Sequence, residues 1–99
     1  MRTELNIPQR YRKDIETAAN VLKNEGCKSV YLFGSIVTGK THENSDIDIG
    51  ITGLPPRKFF RVYSILDRSL SNKVDLVDFD ENIKFYTLLK SLDEVVELG

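Results

Sequence analysis

Apolar positions recur at helical spacing from Pro8 to about Asn24, where Tyr11, Ile15, Ala18, Ala19 and Leu22 stand at i, i+4, i+7, i+8 and i+11. This pattern predicts an amphipathic helix, with Pro8 suited to its first turn and Gly26 placed to close it. The period then changes. Ser29-Val30-Tyr31-Leu32-Phe33 is a short β-prone run that stops at Gly34, and Asp46-Ile47-Asp48-Ile49-Gly50-Ile51 alternates strictly, predicting a second strand. Between them runs a glycine- and hydroxyl-rich stretch, Gly34 to Ser45. Pro55 and Pro56 introduce a second long helix reaching about Ser71, with Phe59, Val62, Tyr63, Leu66 and Leu70 on one face. Lys73 to Phe79 reads as a third strand. Glu81 to about Leu92 reads as a third helix with Phe85, Leu88, Leu89 and Leu92 inward, and Val95-Val96 as a short edge strand. The order α, β, β, α, β, α predicts an α/β (α+β) fold, a small mixed β-sheet flanked by helices.

Composition narrows the chemistry. At 99 residues the expectation is one domain spanning residues 1–99, and 40% hydrophobic residues support a modest core. The balance of 14 Lys+Arg against 15 Asp+Glu argues against a protein that coats nucleic acid. Cys27 has no intrachain partner, which excludes a disulfide framework and suits a reducing, cytoplasmic setting. One His and one Cys cannot build a zinc site of the usual four-ligand kind. No apolar run approaches the roughly 18 residues of a membrane span, and the N-terminus lacks a signal-peptide core. Carboxylates, hydroxyls and backbone are left to carry any reaction.

Two patterns overlap at the glycine stretch. Gly34 to Thr41 matches the phosphate-binding pattern G-x-x-x-x-G-K-[ST], in which backbone N–H groups wrap phosphates and the Lys starts a helix. No such helix fits, since only His42, Glu43, Asn44 and Ser45 separate Thr41 from the next strand. The second pattern takes in more of the chain. Asp46 and Asp48 stand at i and i+2, so their side chains share one face of a strand with Cα atoms roughly 6.5–7 Å apart. Ile47, Ile49 and Ile51 take the buried face. Asp75 is a third carboxylate within an apolar strand, Val74-Asp75-Leu76-Val77-Asp78. Carboxylates among apolar residues are costly unless solvated, paired or metal-bound, and hard divalent cations take oxygen ligands. Three acidic groups from two strands suit two-metal phosphoryl transfer.

Gly34-Ser35, Gly39, Ser45-Asp46-Ile47-Asp48 and Val74-Asp75 together resemble the signature of the DNA polymerase β-like nucleotidyltransferase superfamily, over roughly residues 8–95. The length and sparse decoration resemble its minimal branch, the MNT proteins. The resemblance implies that Asp46 and Asp48 hold two Mg²⁺ ions, with Asp75 completing the site near the attacking hydroxyl and taking its proton. It implies that Gly34, Ser35 and Ser45 contact the nucleotide, ATP, with Lys40 as a point charge that could substitute for an arginine of the loop. Gly34 would leave the backbone open to the triphosphate, and attack at the α-phosphorus would release pyrophosphate. It also implies a partner, because MNT proteins are commonly encoded beside HEPN-domain ribonucleases, act as their antitoxins, and adenylylate a tyrosine near the partner's active site. The family often shows Gly-Ser-x-Ala-Arg-Gly, frequently with a second Arg at x. Here Ile36, Val37 and Thr38 fill those places, so both Arg contacts to phosphate are missing.

Other chemistry-bearing residues read as structural. Asp78 lies an odd number of residues from Asp75 and faces the other way on a regular strand, and Asp78, Asp80 and Glu81 read as solvated. His42 reads as an exposed loop residue and Cys27 as a small buried one. Arg57, Arg61 and Arg68 fall within roughly 40° of one another on a helix turning ~100° per residue. They form a solvated face, or a docking surface for an acidic partner or RNA. The competing functional class is a binding module that keeps the fold and blocks its partner by contact alone. Nucleotide addition to a small molecule or an RNA end is a third class, whose members usually carry further domains.

Overall fold

The computed structural model describes residues 7–41 and 45–98. Helix α1 (Gln9–Asn24) leads into strand β1 (Ser29–Phe33), the one-turn helix α2 (Ser35–Thr38) and strand β2 (Ile47–Thr52). A 3₁₀ turn, Pro56–Lys58, runs into α3 (Phe59–Ser69), followed by β3 (Val74–Asp78), α4 (Ile83–Ser91) and β4 (Val95–Glu97). The strands form a mixed sheet in the order β3-β2-β1-β4. β1 runs antiparallel to both β2 and β4, whereas β2 and β3 are parallel, with α3 as their crossover. This is the small mixed sheet with flanking helices that the periodicity predicts.

The alternation in β2 divides the molecule into two layers. Ile47, Ile49 and Ile51 are fully buried with Tyr11, Ala18 and Leu22 of α1 and Val62 and Leu66 of α3. Asp48 and Gly50 project from the opposite face, together with Tyr31 and Phe33 of β1 and Asp75 and Val77 of β3. Helix α4 covers part of that second face, where Phe33, Phe79 and Leu89 form a smaller aromatic cluster.

Two expectations are corrected here. The inward face of α4 is narrower than its apolar residues suggest: Leu89 is 6% exposed, but Phe85, Leu88 and Leu92 are 40%, 53% and 53% exposed. The helix is rotated so that Tyr86 faces the sheet, stacked on Phe79 with centroids 4.9 Å apart. Phe79 covers Gly50, and Tyr86 and Leu89 pack around Phe79, which leaves Leu88 and Leu92 turned outward. Asp78 is buried rather than solvated: its Oδ1 accepts the Asp80 and Glu81 amides at 3.0 and 3.4 Å, closing the turn after β3. Among the described residues, no helix is long and apolar enough to cross a membrane.

Candidate active site

β2 and β3 run parallel and in register, and this places Asp48 directly beside Asp75. Asp46 lies just before β2, one i−2 step from Asp48, and is half-buried. Asp75 is exposed and Asp48 half-buried. On the other side of Asp48, in β1, stands Phe33, whose ring meets Phe79 and Phe85. Burial, then the negative charges of Asp75 and Asp46, push the Asp48 carboxyl up from 3.8 to about 6. The three carboxylates therefore concentrate negative charge where the β2–β3 ladder begins.

The chain leaves β1 through Gly34, at φ 75°, in the left-handed region that favours glycine. A Cβ on Gly34 would lie 2.0 Å from Asp48 Oδ2. The absent side chain thus makes room first for the carboxylate itself. Ser35 opens α2, which is anchored by Ile36 and Val37 in the main core and closed by Gly39 in a left-handed conformation. Lys40 follows the helix, exposed, so it does not start a helix as the phosphate-loop pattern requires. Ser45 is buried, and its carbonyl accepts the Tyr11 hydroxyl at 3.0 Å. His42 lies outside the described residues.

No three His, Cys, Asp or Glu side chains among the described residues converge closely enough to hold an ion unaided. The donor set nevertheless fits Mg²⁺, which is usually held by one or two carboxylates together with substrate phosphates and water. Paired carboxylates whose mutual repulsion raises a pKa are also the groups that a bound dication relieves.

The remaining residues fall into place around this. Asp80 accepts the Gly53 amide at 2.8 Å, a loop contact away from the pair. Cys27 is buried and its thiol is pushed up to about 11, chiefly by burial. Arg57, Arg61 and Arg68 are exposed, with Arg61 3.6 Å and Lys58 3.5 Å from Glu25. Two residues near the site escaped sequence reasoning, Tyr11 and Asp14. Asp14 is 6% exposed on the inner side of α1 and accepts amides from the α3–β3 loop. A carboxylate beside the apolar stripe at 11, 15, 18 and 22 was the available signal, since such a group must find donors.

The family description that matches this chain is "Polymerase beta, Nucleotidyltransferase", over residues 16–95. The chain belongs to this family. Among solved structures, a chain of a toxin-antitoxin complex with AMP-PNP is 25% identical. It superimposes with a TM-score of 0.66 over 93% of this chain and 73% of that one. A mutant MntA-HpeT toxin-antitoxin chain is 28% identical, with a TM-score of 0.55 over 66% of this chain and 56% of that one. A complex of tri-AMPylated HEPN toxin with MNT antitoxin from Shewanella oneidensis shares the fold at 24% identity, with a TM-score of 0.51 over 70% and 56% of the two chains. No curated protein matches.

Proposed function

We propose that this nucleotidyltransferase transfers AMP from ATP to a protein hydroxyl, a tyrosine of a HEPN ribonuclease partner, and so acts as an antitoxin. The observation that carries the reading is the side-by-side placement of Asp48 and Asp75, with Gly34 cut away to admit Asp48. The toxin-antitoxin complexes among the structural neighbours, one of them with AMP-PNP, support the choice of nucleotide and partner. The AMPylated toxin of the Shewanella oneidensis pair supports the acceptor.

In this mechanism Asp46, Asp48 and Asp75 would hold two Mg²⁺ ions. When bound, these neutralise the phosphate charge and lower the acceptor hydroxyl's pKa. Ser35 and the backbone after Gly34 hold the β- and γ-phosphates, with Lys40 and Ser45 alongside. The acceptor oxygen attacks the α-phosphorus, forming the new P–O bond as the bond to the bridging oxygen breaks and pyrophosphate leaves. Asp75, the most exposed carboxylate of the three, takes the hydroxyl proton. The test is intact mass of a neighbouring HEPN protein after incubation with this protein, Mg²⁺ and ATP. Adenylate-sized increments that vanish in Asp46→Asn/Asp48→Asn are the expected result; their absence with the native protein overturns the enzyme reading.

One observation favours a second reading, neutralisation by contact alone. Thr38 is exposed on α2 at the place where the family often has Arg, and Ile36 is 2% exposed, so neither position offers a guanidinium to phosphate. A tight complex that forms without mass change, and equally with the double variant, distinguishes it.

A further inference from the structure

We propose that α1 sets the spacing of the two carboxylate-bearing strands, with Tyr11 and Asp14 as positioning residues. The two lie one turn apart on α1, and each reaches the segment just ahead of one strand. The Tyr11 hydroxyl, on a fully buried ring, donates to the Ser45 carbonyl at 3.0 Å, and Ser45 immediately precedes Asp46. Asp14 accepts the backbone N–H groups of Ser71 at 3.1 Å and Asn72 at 2.7 Å, and the Asn72 side-chain amide at 2.9 Å. Asn72 also donates to the Arg10 carbonyl at 3.0 Å. Ser45 and Asn72 each stand three residues before a member of the Asp48–Asp75 pair. The two anchored segments then meet each other, because the Ile47 amide donates to the Lys73 carbonyl at 2.9 Å.

This arrangement closes a triangle of α1, the start of β2 and the start of β3. Like charges repel at the Asp48–Asp75 pair, so strands that begin freely would splay there, where the ladder is only starting. The bonds from α1 resist that opening. They are not needed to dock the helix, because Ile15, Ala18 and Leu22 already bury it in the core. A buried carboxylate that accepts three N–H donors is costly to disturb, since each orphaned donor loses its solvation.

The proposal rests on the reading of Asp46, Asp48 and Asp75 as metal ligands, and Mn²⁺ binding together with amide hydrogen exchange separates the two. Tyr11→Phe keeps the ring and removes one hydroxyl; Asp14→Asn keeps the shape and removes the charge and one acceptor oxygen. Ile15→Val serves as the control, thinning α1 packing without touching either anchor. Tyr11→Phe and Asp14→Asn are expected to weaken Mn²⁺ binding roughly 10-fold, as loss of groups that orient metal ligands typically does. Protection should fall at residues 47 and 75 while that of β1 is kept. Ile15→Val should lower the thermal midpoint with Mn²⁺ affinity unchanged. Mn²⁺ affinities in the anchor variants equal to that of Ile15→Val at matched thermal midpoint, or protection lost evenly over the sheet, overturn the positioning role. Native protein that binds no Mn²⁺ overturns the metal reading instead, and the exchange pattern alone then decides the positioning role.

Discussion

Asp48 can occupy its place only because Gly34 has no side chain, and each residue's chemistry depends on the other. Alanine at Gly34, whose φ of 75° and ψ of −149° fall in a region almost confined to glycine, would add about 1–3 kcal/mol of strain and push the Asp48 carboxylate aside. Gly34→Ala is therefore expected to abolish adenylyl transfer while lowering stability by about 1–3 kcal/mol, a split read by denaturant unfolding beside the mass assay. Asp48 itself has a linkage consequence. Its folded pKa of about 6 lies above the ordinary 3.8, so the native state holds this proton more tightly than the unfolded chain. Stability falls as pH rises from 3.8 to about 6 and the full cost is present above it. Asp48→Asn removes that cost, and at pH 7–8 the metal-free variant should be more stable by about 1 kcal/mol, after allowing for the solvent that reaches a half-buried carboxylate. Metal binding should weaken as pH drops through about 6, where protons compete for the same oxygen. A stability gain absent from urea unfolding at pH 7.5 would contradict this account of the pair. Thr38→Arg offers the complementary gain: a guanidinium restored on the exposed face of α2 should tighten ATP binding several-fold, measured by titration calorimetry, as a charge-assisted phosphate contact does.

At the scale of elements, α4 shows how a helical pattern misleads when the surface it meets is small. Phe85, Leu88, Leu89 and Leu92 share an arc, yet only Leu89 is buried, because Tyr86 takes the neighbouring contact with Phe79 and Tyr31. Leu89→Ala is expected to cost about 2–3 kcal/mol, whereas Leu88→Lys and Leu92→Lys should each stay within about 0.5 kcal/mol. Thermal unfolding of the three variants checks the helix's rotation; equal losses at positions 88 and 89 would contradict it. The strand beneath has its own constraint. A Cβ at Gly50 would lie 2.1 Å from the Phe79 ring, so a glycine in mid-strand here admits an aromatic side chain from the neighbouring strand's end.

For the whole molecule, the decisive fact is that one strand separates two unlike layers. Ile49 is fully buried between β2 and the helices on one side, while its neighbours Asp48 and Gly50 face the site and the aromatic cluster. Ile49→Ala should cost about 2–5 kcal/mol, a large part of the roughly 5–10 kcal/mol expected of a domain this small. The thermal midpoint should fall by at least about 8 °C. The radius of gyration, 12.6 Å, is that of a compact chain of this length.

Much of this is legible in the sequence alone. Strict alternation in Asp46–Ile51 assigns one face to the core and the other to carboxylates, because side chains in a strand point alternately. The same local rule marked α1, β1 and the crossover helix, and the spacing of Gly34-Ser35 from Asp46 and Asp48 pointed to the family. What periodicity could not decide was which strand lies beside which. Asp48 and Asp75 are brought together by the parallel register of β2 and β3, a pairing made across a whole helix. The Tyr11 and Asp14 contacts, the burial of Asp78 and the outward turn of Leu88 are likewise products of packing. Local pattern determined the faces; only the tertiary structure chose their neighbours, because a contact between distant segments depends on the shape of everything packed between them.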